Sequence, residues 1–194
     1  MRTIRTKVYT FNELSQDAKE VAIKNYRNKM EIHLDFFNDD AVEQIEKAGF
    51  YGDIDLQYNL SYSQGDGLSF SCNGIEESLL LSFFAEILGE GKEKTAKTII
   101  ENCSFVNTGN NGHYCFASKN DIEFIFESYK NDYSNIYDIV RKVESKIENL
   151  YMDLCKDLEK QGYADIEYQR SDEAVTETII ANDWEFLSNG KIFN

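Results

Sequence analysis

From Ile54 to Tyr62 every second residue is apolar: Ile54, Leu56, Tyr58, Leu60 and Tyr62 alternate with Asp55, Gln57, Asn59 and Ser61. A period of two places the apolar set on one face of a pleated strand and the polar set on the other. Gln64-Gly65-Asp66-Gly67 follows, rich in residues that tolerate positive φ, and Leu68, Phe70 and Cys72 then resume the alternation. The pattern predicts a β-hairpin from Ile54 to Cys72 with one apolar face, and such a face must be covered. The cover is also written in the chain. Ile136, Ile139, Val140, Val143, Ile147, Leu150, Tyr151, Leu154 and Leu158 recur at helical spacing. They predict a long helix from Ser134 or Asn135 to Lys160, closed by Gly162.

Shorter elements fill the remainder. Val8 to Phe11 favours an extended start, Thr10 with Glu13 fits a capping box, and Ser15 is a second N-cap. Leu14, Ala18, Val21, Ala22 and Tyr26 mark a first helix reaching Met30. A second, Asn38 or Asp39 to Lys47, has Ala41, Val42 and Ile45 inward and Gly49 beyond its end. Leu79, Leu80, Phe83, Phe84 and Ile87 mark a third within Ile75 to Leu88, and Lys92 to Asn102 predicts a fourth. Asn107 to Gly112 reads as a loop. Tyr114-Cys115-Phe116 and Ile122 to Phe126, flanking Lys119-Asn120-Asp121, predict a second hairpin within His113 to Ser128. After Tyr163 the tail predicts a strand, a helix and a turn at Asn189-Gly190. The expected fold is a single α+β domain over residues 1–194. Both hairpins join in one antiparallel sheet of four or more strands, covered by the long helix with the first helix beside it. The open face would carry Asp53, Asp55, Gln57, Asn59, Ser61 and Ser63.

Composition narrows the function classes. The chain has 194 residues, 42% of them hydrophobic, enough for a sizeable core and too many for disorder. No apolar run is long enough to span a membrane, and no apolar segment follows the basic Met1 to Lys7, so a cytoplasmic protein is expected. Thirty-five acidic against 20 basic side chains give a net charge of −15, which argues against direct binding of nucleic acid. Cys72, Cys103, Cys115 and Cys155 form no CxxC pair and predict free thiols. His113 and Cys115 share a strand face, but two ligands make neither a zinc site nor a catalytic pair.

The charge is unevenly spread. Residues 1–30 carry seven basic and three acidic side chains, whereas residues 31–66 carry nine acids against Lys47 alone. Such crowding costs stability unless a cationic partner meets it. Asp53-x-Asp55 opens like a calcium loop but lacks the following Gly and distal Glu, and Asp39-Asp40 suits a helix N-terminus. No Gly-x-Ser-x-Gly, GxxxxGK[ST] or GxGxxG occurs, and Gln64 to Gly67 joins strands instead of opening a helix. No catalytic residue, metal or cofactor is implied.

Three segments carry a resemblance: Val8-Tyr9-Thr10-Phe11-Asn12-Glu13-Leu14-Ser15 with Ala18-Lys19 and Tyr26-Arg27; Leu60-Ser61-Tyr62-Ser63-Gln64-Gly65-Asp66-Gly67; and Ala181-Asn182-Asp183-Trp184-Glu185-Phe186 with Asn189-Gly190-Lys191. Together they resemble a diffuse family of phage and prophage proteins, some labelled antitoxin-like. The resemblance implies a mobile-element origin and, by class-level analogy with anti-CRISPR proteins, an acidic inhibitor that mimics nucleic acid. Its expected partner is a host CRISPR-Cas effector or another basic nucleic-acid-binding protein. The expected contact residues are Asp35, Asp39, Asp40, Glu43, Glu46, Asp53, Asp55, Tyr62, Gln64 and Asp66. Two alternatives stay open: an antitoxin or immunity-type protein that neutralises a basic toxin, and a nuclease or nucleotide hydrolase holding Mg²⁺ on Asp53, Asp55 and Asp66.

Overall fold

The computed structural model describes residues 5–107, 109, 115–118, 121–126 and 134–193. The chain is α+β and forms two compact units, one of residues up to Leu34 and from Tyr163 onward, the other from Asp35 to Gly162. Among the described residues no helix is long and apolar enough to cross a membrane.

The smaller unit begins with β1 (Tyr9–Thr10) and a 3-10 turn, Phe11–Glu13, capped as predicted: the Thr10 amide donates to Glu13 Oε2 at 2.8 Å. These bonds hold the exposed Glu13 carboxyl below its ordinary range. Ser15 caps α1 (Gln16–Arg27), accepting from the Ala18 amide at 3.4 Å. The apolar stripe of α1 is covered by α6 (Asp172–Ala181). Ala18 and Ala22 share one buried cluster with Val175 and Ile179. Phe11 and Phe186 meet edge-on within that cluster, 6.2 Å apart. The tail strand, β8 (Glu185–Phe186), pairs antiparallel with β1. The turn at Asn189-Gly190 follows, where a Cβ on Gly190 would stand 2.1 Å from the Ala18 carbonyl oxygen. Only glycine allows that approach.

The larger unit contains α2 (Asp35–Lys47), β2 (Phe50–Tyr51), β3 (Asp55–Asn59), β4 (Gly67–Ser71), β5 (Gly74–Ile75), α3 (Glu77–Leu88), α4 (Glu93–Ile100), β6 (Cys103–Asn107) and β7 (Ile122–Phe126). It also holds α5 (Ser134–Gln169) as far as Gly162. The first hairpin is present in the register the alternation dictates, with Leu56 opposite Phe70 and Tyr58 opposite Leu68. The second is corrected. The partner of Ile122–Phe126 is Cys103–Asn107, while Cys115 and Phe116 lie outside any strand. His113, Tyr114, Lys119, Asn120 and Ser128 fall outside the described residues, and with them the His113–Cys115 pairing.

Among the described residues the four-stranded sheet is not formed. The described strands make two-stranded ladders, and a single bridge, Cys72 to Asn107, joins the hairpin to the β6–β7 ladder. Tyr151 supplies the physical reason. Its buried hydroxyl donates to the Phe70 carbonyl at 2.9 Å and accepts from the Phe70 amide at 3.2 Å. The edge of β4 is thereby occupied by a side chain of α5. Beyond Cys72 the chain turns away into β5, which pairs with β2.

The cover of the hairpin is α5, with Val143, Ile147, Tyr151 and Leu158 fully buried along one stripe. The helix does not stop at Gly162 but continues to Gln169. The glycine serves packing: a Cβ there would lie 2.5 Å from Leu60 Cδ1 and 3.1 Å from Phe37 Cζ. The other face of the hairpin is open along β3, where Asp55 and Asn59 are exposed as expected together with Asp53, Ser61 and Ser63, but closed along β4. Gly67 and Ser69 are buried, and a Cβ on Gly67 would meet Phe116 at 2.5 Å, so Phe116 covers that end. The four cysteines are free thiols. Burial pushes Cys72 and Cys103 up to about 11 and Cys155 up to about 12, so these three remain protonated at neutral pH.

Candidate partner-binding face

Helix α2 begins at Asp35, three or four residues before the predicted start at Asn38 or Asp39, so Asp39 and Asp40 lie in its second turn and not at its N-terminus. Asp35 takes the first-turn position, where a carboxylate meets the helix dipole favourably. Phe37, Ala41 and Ile45 are buried at spacings of four and fix which side of the helix faces inward. With 3.6 residues per turn, Asp35, Phe36, Asp39, Asp40, Glu43, Glu46 and Lys47 then share an outward arc of about 140°. All seven side chains are exposed.

Two contacts hold this arc in place. Phe37 packs edge-on against Tyr58 of β3, with ring centroids 5.7 Å apart. Gln44 and Gln161 exchange amide hydrogen bonds at 2.7 and 3.0 Å, tying α2 to α5. On the arc itself, Lys47 meets Glu43 at 2.5 Å, an exposed i,i+4 pair that offsets one of the five carboxylates. A surface with a net excess of four negative charges remains. Phe36, 87% exposed, sits between Asp39 and Asp40 in angle.

The other predicted contact residues do not join this face. α2 lies on the Tyr58 side of β3, whereas Asp55 projects from the opposite side with Gln57 and Asn59. The helix acids and the acidic strand face therefore lie on different sides of β3. Asp53 is exposed in the bend before β3. Tyr62 and Gln64 are exposed at the hairpin tip, Tyr62 with a φ of 59°.

Asp66 turns inward. Its carboxylate accepts from the Ser61 amide (2.8 Å), the Ser61 hydroxyl (2.9 Å), the Ser63 amide (2.9 Å) and the Ser63 hydroxyl (2.8 Å). The acid in the Tyr-Ser-Gln-Gly-Asp-Gly segment is thus the organiser of its own loop. Asp66→Ala is expected to cost about 1–2 kcal/mol and to remove hydrogen-exchange protection at Ser61 and Ser63. Asp66→Asn, which keeps one acceptor oxygen, should fall between. Unchanged protection in the alanine variant would show that the loop is held by something else. Among the described residues no group of three or more His, Cys, Asp and Glu side chains is placed to hold a metal ion, so Asp53, Asp55 and Asp66 are not gathered as such a site.

Phe36 is the residue the sequence reading missed, although a signal was present. Of two adjacent phenylalanines on a helix only one can face a core, and Ala41 and Ile45 select Phe37. Comparison with family models, curated proteins and solved structures found no match to this chain.

Proposed function

We propose that this chain is a phage- or mobile-element-encoded inhibitor that acts in the host cytoplasm. The acidic face of α2 docks on the cationic nucleic-acid-binding surface of a host CRISPR-Cas effector or a comparable basic protein. The observation that carries the reading is the placement of five carboxylates and one exposed phenyl ring on a single arc. Carboxylates in that number repel one another unless cations meet them, and arrays of Lys and Arg that neutralise phosphate are the cations most suited to do so. The ring adds an apolar anchor of the kind that dominates protein interfaces.

The test is a competition assay. Purified guide-loaded effectors of single-subunit and multi-subunit types are mixed with fluorescent target DNA, and this chain is titrated in. The expected result is loss of DNA binding or of cleavage with at least one effector, in proportion to the added chain. Absence of binding to every effector would overturn the assignment of the partner class.

A further inference from the structure

Within the smaller unit, the end of α1 and the residues after it, the end of α5, and α6 enclose a cleft of about 370 Å³. Its lining is chemically one-sided. Tyr26, Tyr168 and Met30 supply two phenol rings and a thioether, His33 an imidazole, Glu31 and Glu177 two carboxylates, and none of the described lining residues is Lys or Arg. Tyr168 is 57% exposed and both glutamates are exposed. Arg27, next to Tyr26 in the chain, is paired with Asp172, and Lys29 and Arg170, which flank Met30 and Gln169, do not line the cleft.

Contacts within the chain brace the walls. Gln169 clasps the backbone of His33, donating to its carbonyl at 2.7 Å and accepting from its amide at 3.2 Å. Tyr26 stands edge-on to Trp184 with ring centroids 5.3 Å apart. A preformed cleft of this kind loses little freedom on binding.

Aromatic faces and carboxylates both attract cations, and both disfavour an anion. A neutral apolar ligand would strip water from two carboxylates and give them no partner. We infer that the cleft binds an alkylated ammonium or a guanidinium group. That chemistry belongs both to free organic cations and to arginine or lysine side chains of another protein. This inference concerns a different unit from the acidic face of α2 and stands independently of it.

Trp184 is the single tryptophan of the chain, so its indole N–H gives one resolved NMR cross-peak beside the Tyr26 wall. The full chain is titrated at pH 8 and constant ionic strength with tetramethylammonium chloride and, separately, with the tripeptide Gly-Arg-Gly. Sodium chloride and tert-butanol serve as the charge-only and shape-only controls. Saturable shifts with tetramethylammonium support a site for free organic cations, and saturation by the tripeptide alone supports a site for a protein side chain. Glu177→Gln and Tyr168→Leu should each raise the half-saturation concentration about two- to fivefold, while Tyr168→Phe leaves it within about twofold. Glu31→Gln replaces either variant that fails to give a wild-type circular dichroism spectrum. Non-saturating shifts with both cations, a response matched by tert-butanol, or saturation unchanged in the folded Glu and Tyr168→Leu variants would overturn the inference.

Discussion

Replacing Phe70 with alanine is expected to destabilise the larger unit by about 3–5 kcal/mol, read as a fall in the urea midpoint. Phe70 is fully buried, edge-on to Phe50 with centroids 5.2 Å apart and tilted against Tyr151 at 4.7 Å. The three rings join β2, β4 and α5, so removing the central one opens a cavity among them. Tyr151→Phe separates packing from hydrogen bonding. It keeps the ring but deprives the Phe70 amide and carbonyl of their partner, at an expected cost of about 1–3 kcal/mol. Burial, acting before any other cause, raises the Tyr151 phenol far above its ordinary range, so the hydroxyl is protonated and able to donate at neutral pH. Ile147→Ala, on the same buried stripe, is expected to cost about 2–5 kcal/mol. A loss below about 1 kcal/mol for Phe70→Ala would mean that α5 is not the cover of the hairpin.

Much of this unit was legible in the chain because a period of two and a period near 3.6 each admit few solutions. The alternation from Ile54 to Cys72 sets the β3–β4 register, and the stripe from Ile136 to Leu158 supplies its cover. What escaped depends on contacts that local pattern does not encode. Gly162 reads as a helix stop, yet it is where Leu60 and Phe37 press against α5. Tyr151 reads as one more apolar position, yet its hydroxyl occupies the strand edge on which a larger sheet would have grown. Asp66 reads as one acid among nine in the acidic segment, yet four donors of its own loop claim it. The charge excess of residues 31–66 was plain, but its division between two sides of the unit follows from Phe37 packing on Tyr58. Tertiary packing decided each of these points, whereas periodicity decided the elements themselves.

On the acidic face the largest effect is expected from a fourfold variant, Asp35→Asn, Asp39→Asn, Asp40→Asn and Glu43→Gln. These side chains are exposed, so the fold should hold within about 1 kcal/mol, because surface substitutions away from the core cost little. Attraction toward a cationic surface should collapse. Electrostatic steering raises association rates by about 10- to 10³-fold at low salt, and the variant forfeits most of that. Phe36→Ala acts differently: it leaves the approach rate nearly unchanged and speeds dissociation, since an apolar anchor works only after contact. The decisive measurement is the association rate of wild type and of the fourfold variant with a responding effector, by surface plasmon resonance at 50 and 300 mM salt. The expected result is a wild-type rate that falls steeply between the two salts and a variant rate that is low and nearly flat. Equal rates for the two proteins, or a wild-type rate indifferent to salt, would contradict it.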